Sequence, residues 1–237
     1  MSLKERIHNR EKVYGVIVPI DIEPQALENV LGSMSYDFVY TDSQHYMFSE
    51  KQLVEFCDMV DGFGMPAHLR IKHTRYTYLV GNLLDLGPSG VEVPQVEEAQ
   101  TVEEGVAYFY NPQKGIRSWG GGARREVGAH GDRLEYATWW NDYGLLWMQL
   151  ESIPAVTNVA HLVRPGVDCV SFGPMDLSFS IEAHPHHPFQ SVDDCVQHVC
   201  DQLKDSDVRV CFRNYIPEDR DKYGSMGVTV FLESPVV

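Results

Sequence analysis

The runs LLWMQLE (145–151) and DCVSF (168–172), the second leading straight into Gly173-Pro174-Met175-Asp176, decide the fold. Both are nearly all apolar, so both read as strands buried on two faces, the mark of a parallel sheet covered by helices. The first run carries two polar side chains, Gln149 and Glu151, which share a face because they are two residues apart. A carboxylate on a strand built for burial needs a cationic partner or a metal ion.

The same pattern extends outward. Further strands are expected at 13–19, 38–42, 66–71, 89–93, 208–213 and 228–232, which makes eight in all. Helical patterns fall between them at 23–34, 49–62, 76–86, 97–109, 133–142, 154–163, 190–204 and 216–223. Ser49 with Gln52 forms a capping box, and Ser191 with Asp194 its acidic version. Eight units of about 30 residues match a (β/α)8 TIM barrel; a doubly wound open sheet is the alternative. The last strand runs out near Leu232, so the barrel is expected to lack a full eighth helix. No linker, repeat or low-complexity tract divides the 237 residues, which are read as one domain.

Nineteen basic against 34 acidic residues give a net charge of −15, which argues against binding to nucleic acid or to an anionic membrane. No apolar run approaches the ~18 residues of a membrane span. The opening MSLKERIHNREK has no apolar core of a signal peptide, so a cytoplasmic location is expected. Five cysteines without CxxC spacing read as reduced thiols, with Cys57 and Cys195 each on the apolar stripe of a helix.

In a barrel, catalytic groups come from the C-terminal ends of strands and the loops after them. That rim offers Asp42 and His45 after strand two, Arg70 after strand three, Gln149 and Glu151 on strand five, and Gly173 to Asp176 after strand six. Their coincidence on one edge carries more than any one of them. Lys72, a conceivable Schiff-base lysine, lies one step beyond its strand and reads as a solvated side chain. The histidines at 184, 186 and 187 alternate with prolines and read as a loop rather than a zinc site. The glycines at 120–122 lack the GxGxxG spacing of a dinucleotide site.

In order and spacing, YDFVYTDSQH (36–45), PAHLRI (66–71), LLDLGPSGVEVPQVEEAQ (83–100), GIRSWGGGARR (115–125), WMQLES (147–152) and VDCVSFGPMDLS (167–178) resemble the HpcH/HpaI aldolase family. These are class II, metal-dependent pyruvate aldolases on a (β/α)8 barrel. The resemblance implies cleavage of a 4-hydroxy-2-oxo acid to pyruvate and an aldehyde through a metal-stabilised enolate. It implies a divalent cation (magnesium, manganese or cobalt) on Glu151 and Asp176. Arg70 and Gln149, beside Gly173 and Pro174, would hold the 2-oxo acid. His45, supported by Asp42, would move the proton, with a metal-bound hydroxide as the rival base. Asp85 matches an acidic residue that lies near a neighbouring subunit's site, and the assembly implied is a homo-oligomer, a trimer or hexamer.

The chain departs from that pattern at Gln44, where the family usually has a glutamate. Three functions are therefore set side by side. One is the aldolase. Another is an enzyme using the same enolate for oxaloacetate decarboxylation or carbon–carbon bond formation. The last is a barrel that binds an oxo acid without turnover.

Overall fold

The computed structural model describes residues 1–120, 125–214 and 217–235. Eight parallel strands close into a barrel in sequence order: β1 Val13–Ile17, β2 Phe38–Asp42, β3 Ala67–Arg70, β4 Gly90–Val93, β5 Leu145–Leu150, β6 Cys169–Phe172, β7 Arg209–Asn214 and β8 Val230–Glu233. The barrel is closed by β8 against β1, with Val230 beside Val13 and Glu233 beside Val16. A closed sheet rules out the open doubly wound alternative. It also leaves no strand edge exposed.

Helices α2 (Pro24–Ser33), α3 (Glu50–Gly62), α4 (Val80–Leu84) and α5 (Ala99–Phe109) follow the first four strands. Next come α6 (Arg133–Tyr143), α7 (Ile153–Thr157), α8 (Val159–Leu162), α9 (Pro174–Ala183), α10 (Val192–Leu203) and α11 (Arg220–Met226). Both capping boxes form as expected, on Ser49 with Gln52 and on Ser191 with Asp194. The expected helix 154–163 is broken at Asn158, and the start of 76–86 is a 3-10 turn. The GPMD segment opens a helix absent from the expected set: Pro174 sits at the first position of α9, where its missing N–H costs nothing. Among the described residues no helix follows β8. Ile216, Gly121, Gly122, Arg124, Val236 and Val237, which belonged to sequence expectations, lie outside the described residues.

A short first helix, α1 (Leu3–His8), closes the bottom of the barrel. Ile7 joins the interior cluster there, while Lys4 and His8 reach Asp168 at 3.1 and 2.8 Å. Alternate strand residues point inward. The lower interior is apolar and aromatic, with Val13, Phe38, Leu145, Trp147, Cys169, Cys211 and Val230. Toward the C-terminal ends it turns ionic, with Arg70, Glu92, Gln149 and Arg213 all buried. That gradient sets the position of the site. All five cysteines are free and buried, as expected of small core residues.

Candidate active site

A pocket of about 360 Å³ opens at the C-terminal end of the barrel. Ile17 of β1, Arg70 of β3, Gln149 of β5 and Arg213 of β7 supply its floor. Four side chains from alternate strands are the usual composition of one barrel layer. Asp42, His45, Tyr46 and the segment Gly173 to Asp176 form the wall. A larger cavity of about 780 Å³ lies at the opposite end, between α1 and the starts of β6 and β7. None of the expected site residues lines it, and barrel chemistry belongs to the other end.

Arg70 is held on two sides. Its Nε donates to Asp42 Oδ1 at 2.8 Å, its Nη2 donates to Asp42 Oδ2, and its Nη1 donates to Gln149 Oε1 at 3.2 Å. Burial works against the Asp42 charge, but the Arg70 hydrogen bond and positive charge outweigh it and keep this carboxyl below the usual range. Asp42 Oδ1 also accepts the Gln44 N–H at 2.8 Å. Both oxygens of Asp42 are thus committed to Arg70 and the loop backbone. The carboxylate orients the arginine, and among the described hydrogen bonds none joins Asp42 to His45. His45 lines the pocket as an exposed side chain.

Glu151 lies just past the end of β5 and is 5% exposed. Neither of its oxygens has a hydrogen-bond partner. Burial, followed by the charge of Asp176, pushes its carboxyl up to about 7. Asp176 stands in the first turn of α9, brought there by the Gly173–Pro174 turn that ends β6. Gly173 leaves room for both side chains: a Cβ on it would come within 2.2 Å of Glu151 Oε2 and 2.8 Å of Gln149 Nε2, so both would have to shift. Two carboxylates, one buried with both oxygens unsatisfied, suit a hard divalent cation, which takes oxygen ligands and keeps positions for water and substrate. The donor set fits such an ion. No cluster of three or more His, Cys, Asp or Glu forms a closed cage among the described residues.

The structure therefore brings together Asp42, His45, Arg70, Gln149, Gly173, Pro174 and Asp176 around one pocket, with Glu151 against Gly173. Asp85 stands apart. It ends α4 and pairs with the buried Arg117 at 2.8 Å. Lys72 is exposed and does not line the pocket. His184 and His187 are tied to local backbone, through Ser180 O and the Phe189 N–H. Sequence reading missed Arg213. The signal was present in VRVCFR, where Arg213 stands two residues after Cys211 and so shares its inward face.

Residues 23–222 match the family model HpcH/HpaI aldolase/citrate lyase. The chain belongs to this family. Over 177 residues, 74% of this chain and 64% of the relative, it is 29% identical to a hydroxypyruvate/pyruvate aldolase from Delftia acidovorans. Over 162 residues, 67% and 62% of the two chains, it is 29% identical to a 2-dehydro-3,6-dideoxy-6-sulfogluconate aldolase from Pseudomonas putida. The matched stretch thus spans less than two thirds of the length of either relative. An HpcH/HpaI aldolase from Desulfitobacterium hafniense DCB-2 shares the fold, with a TM-score of 0.84 over 99% of this chain and 90% of that one at 23% identity. No helix among the described residues is long and apolar enough to cross a membrane.

Proposed function

We propose that this family member is a divalent-metal-dependent carbon–carbon lyase that cleaves a 4-hydroxy-2-oxo acid to pyruvate and an aldehyde. The observation that carries the reading is Glu151: buried, with both oxygens unpartnered, beside Asp176 and against Gly173 of the pocket that Arg70 lines. Glu151 and Asp176 would hold the cation. When bound, it would supply Lewis-acid polarisation of the substrate's 2-oxo carbonyl.

The protein's own residues do the rest. Breaking the C3–C4 bond leaves its electron pair on the pyruvate half as an enolate, which takes up a proton at C3 to become pyruvate, while the 4-hydroxyl loses a proton and becomes the aldehyde. Arg70, fixed by Asp42 and Gln149 before substrate arrives, offers a positive charge that needs no reorganisation as the enolate charge develops. Gln149 Nε2 is buried without a partner and is free to donate to an oxo-acid oxygen. His45, the exposed imidazole on the wall, would accept the hydroxyl proton.

Free thiols buried throughout the core favour a reducing compartment, the cytoplasm. Tyr46, Met47, Met175 and Phe179 expose apolar surface around the mouth, which favours a homo-oligomer; the resemblance to the family would make it a trimer or hexamer. The test of the activity is pyruvate release from a panel of 4-hydroxy-2-oxo acids. Absence of turnover across the panel with magnesium, manganese and cobalt each supplied refutes it.

A further inference from the structure

At the end of the barrel away from the mouth stands a buried charge with no counter-charge. Arg209, the first residue of β7, is 8% exposed. Its Nη1 donates to Ser206 O and Val208 O and its Nη2 to His8 O at 2.9 Å, while Nε is buried without a partner. Among the described residues no carboxylate pairs with it. Backbone carbonyls satisfy N–H groups but do not neutralise a guanidinium, and a buried charge ordinarily has a counter-ion.

Arg209 lines a cavity of about 240 Å³ between the C-terminal ends of α10 and α11 and the starts of β7 and β8. Arg10 and Lys204, both exposed, border the same cavity, and among the described residues neither has an ion pair. That is unexpected in a chain with 34 acidic residues against 19 basic. Arg10 is also held in the left-handed backbone region, at φ 62°, where glycine or asparagine is the ordinary choice. Its Nη2 donates to Lys204 O, which covers a carbonyl at the end of α10 and sets the two cations side by side. Asp201, a carboxylate on the lining, accepts from Gln197 Nε2 at 3.0 Å. Three cations against one carboxylate leave the lining net positive by two. Val208, Val210 and Met226 make much of the wall apolar, and Thr229 Oγ1 is buried without a partner.

We propose that this cavity is a second ligand site, which binds a phosphate monoester with a small apolar body. The head meets Arg10, Lys204 and Arg209, and the body lies against Val210 and Met226. A dianion matches the excess of two positive charges, and a phosphate group has three free oxygens to take up donors from several directions. The apolar wall favours an esterified phosphate over the free ion, because the ester's body gains from leaving water. The site is independent of the chemistry at the mouth.

Calorimetric titration of the full chain, without added metal, tests the assignment with phenyl phosphate, inorganic phosphate and benzoate as probes. The native chain is expected to bind phenyl phosphate at least about tenfold more tightly than either of the others. Arg10→Gly suits the left-handed backbone and Lys204→Gln alters an exposed side chain, so the double variant is expected to fold. It is expected to bind phenyl phosphate at least about tenfold more weakly than the native chain. Arg70→Ala, in the mouth at the opposite end, is expected to leave that affinity unchanged. No binding to the native chain, or an affinity that survives the double variant, overturns the site. Weaker binding in Arg70→Ala places the ligand in the mouth and overturns it equally. Inorganic phosphate or benzoate binding as tightly as phenyl phosphate overturns the ligand class.

Discussion

Gly173 leaves the room that Glu151 fills: a Cβ on residue 173 would stand 2.2 Å from Glu151 Oε2. The Gly173→Ala substitution therefore displaces the buried carboxylate without touching its charge. Affinity for magnesium or manganese is expected to fall by about 10–100-fold, the usual effect of disturbing groups that orient a metal ligand. Calorimetric titration of the metal into native and variant chains measures this. Equal affinities would remove Glu151 from the proposed metal site.

Arg70 bonds to Asp42 through two nitrogens and to Gln149 through the third. Arg70→Ala is expected to lower kcat by about 10²–10³-fold, the range seen when one preorganised donor to a developing oxyanion is lost. Arg70→Lys keeps the charge but cannot reproduce the fork, and it is expected to recover only part of that loss. Steady-state pyruvate release gives kcat directly. A Lys variant as active as the native chain would contradict the geometric role.

Glu151 also sets a pH dependence. Burial and then the Asp176 charge push its carboxyl up to about 7, so below that value a proton competes with the cation. Metal affinity is expected to rise about tenfold per pH unit up to about 7 and then to level off. The effect on stability has the opposite sign. A carboxyl raised above its ordinary value of 4.5 favours the protonated folded chain, so the metal-free protein loses stability as the pH climbs from there to about 7. Manganese titrations and melting temperatures at pH 5.5, 6.5 and 8 test both, and a flat affinity profile would contradict the first.

His68 makes the chain acid-labile from within. It is buried in the barrel interior, stacked on Tyr40 with ring centroids 5.8 Å apart, and its Nε2 has no partner. Burial, reinforced by the charge of Arg213, pushes its pKa down to about 3. In the unfolded chain the ring titrates near ~6.5, so the stability it contributes is full above that pH. It is lost as the pH falls toward about 3, at up to ~1.4 kcal/mol per pH unit. Urea unfolding of native and His68→Phe chains at pH 7 and pH 4.5 should show a smaller loss in the variant. An identical loss in both would place the acid sensitivity elsewhere.

Most of the barrel was legible in the sequence because buried parallel strands read as short apolar runs, and all eight lie where those runs fall. α9 was not, because Gly173 and Pro174 read as loop punctuation, although Pro174 in fact opens the helix that carries Asp176. The rim residues were legible because Gln149 and Glu151 interrupt an apolar strand. Arg213 shares the inward face of β7 with Cys211, but a charge near a strand end also fits a solvated terminus, and only the closed barrel turns it toward Arg70. The partner of Asp42 was likewise not legible. It depends on the register that sets Asp42 beside Arg70, which no local pattern encodes.

The Arg70–Glu151–Asp176 mouth is proposed to cleave carbon–carbon bonds with a divalent ion. The most direct measurement is pyruvate released from 4-hydroxy-2-oxo acids by the native chain, by the chain treated with chelator, and by the chelated chain resupplied with magnesium or manganese. Glu151→Ala is measured in parallel. The expected result is turnover that chelation abolishes and the metal restores, and none from the folded variant at any metal concentration. Turnover that survives chelation, or a Glu151→Ala variant as active as the native chain, would contradict it.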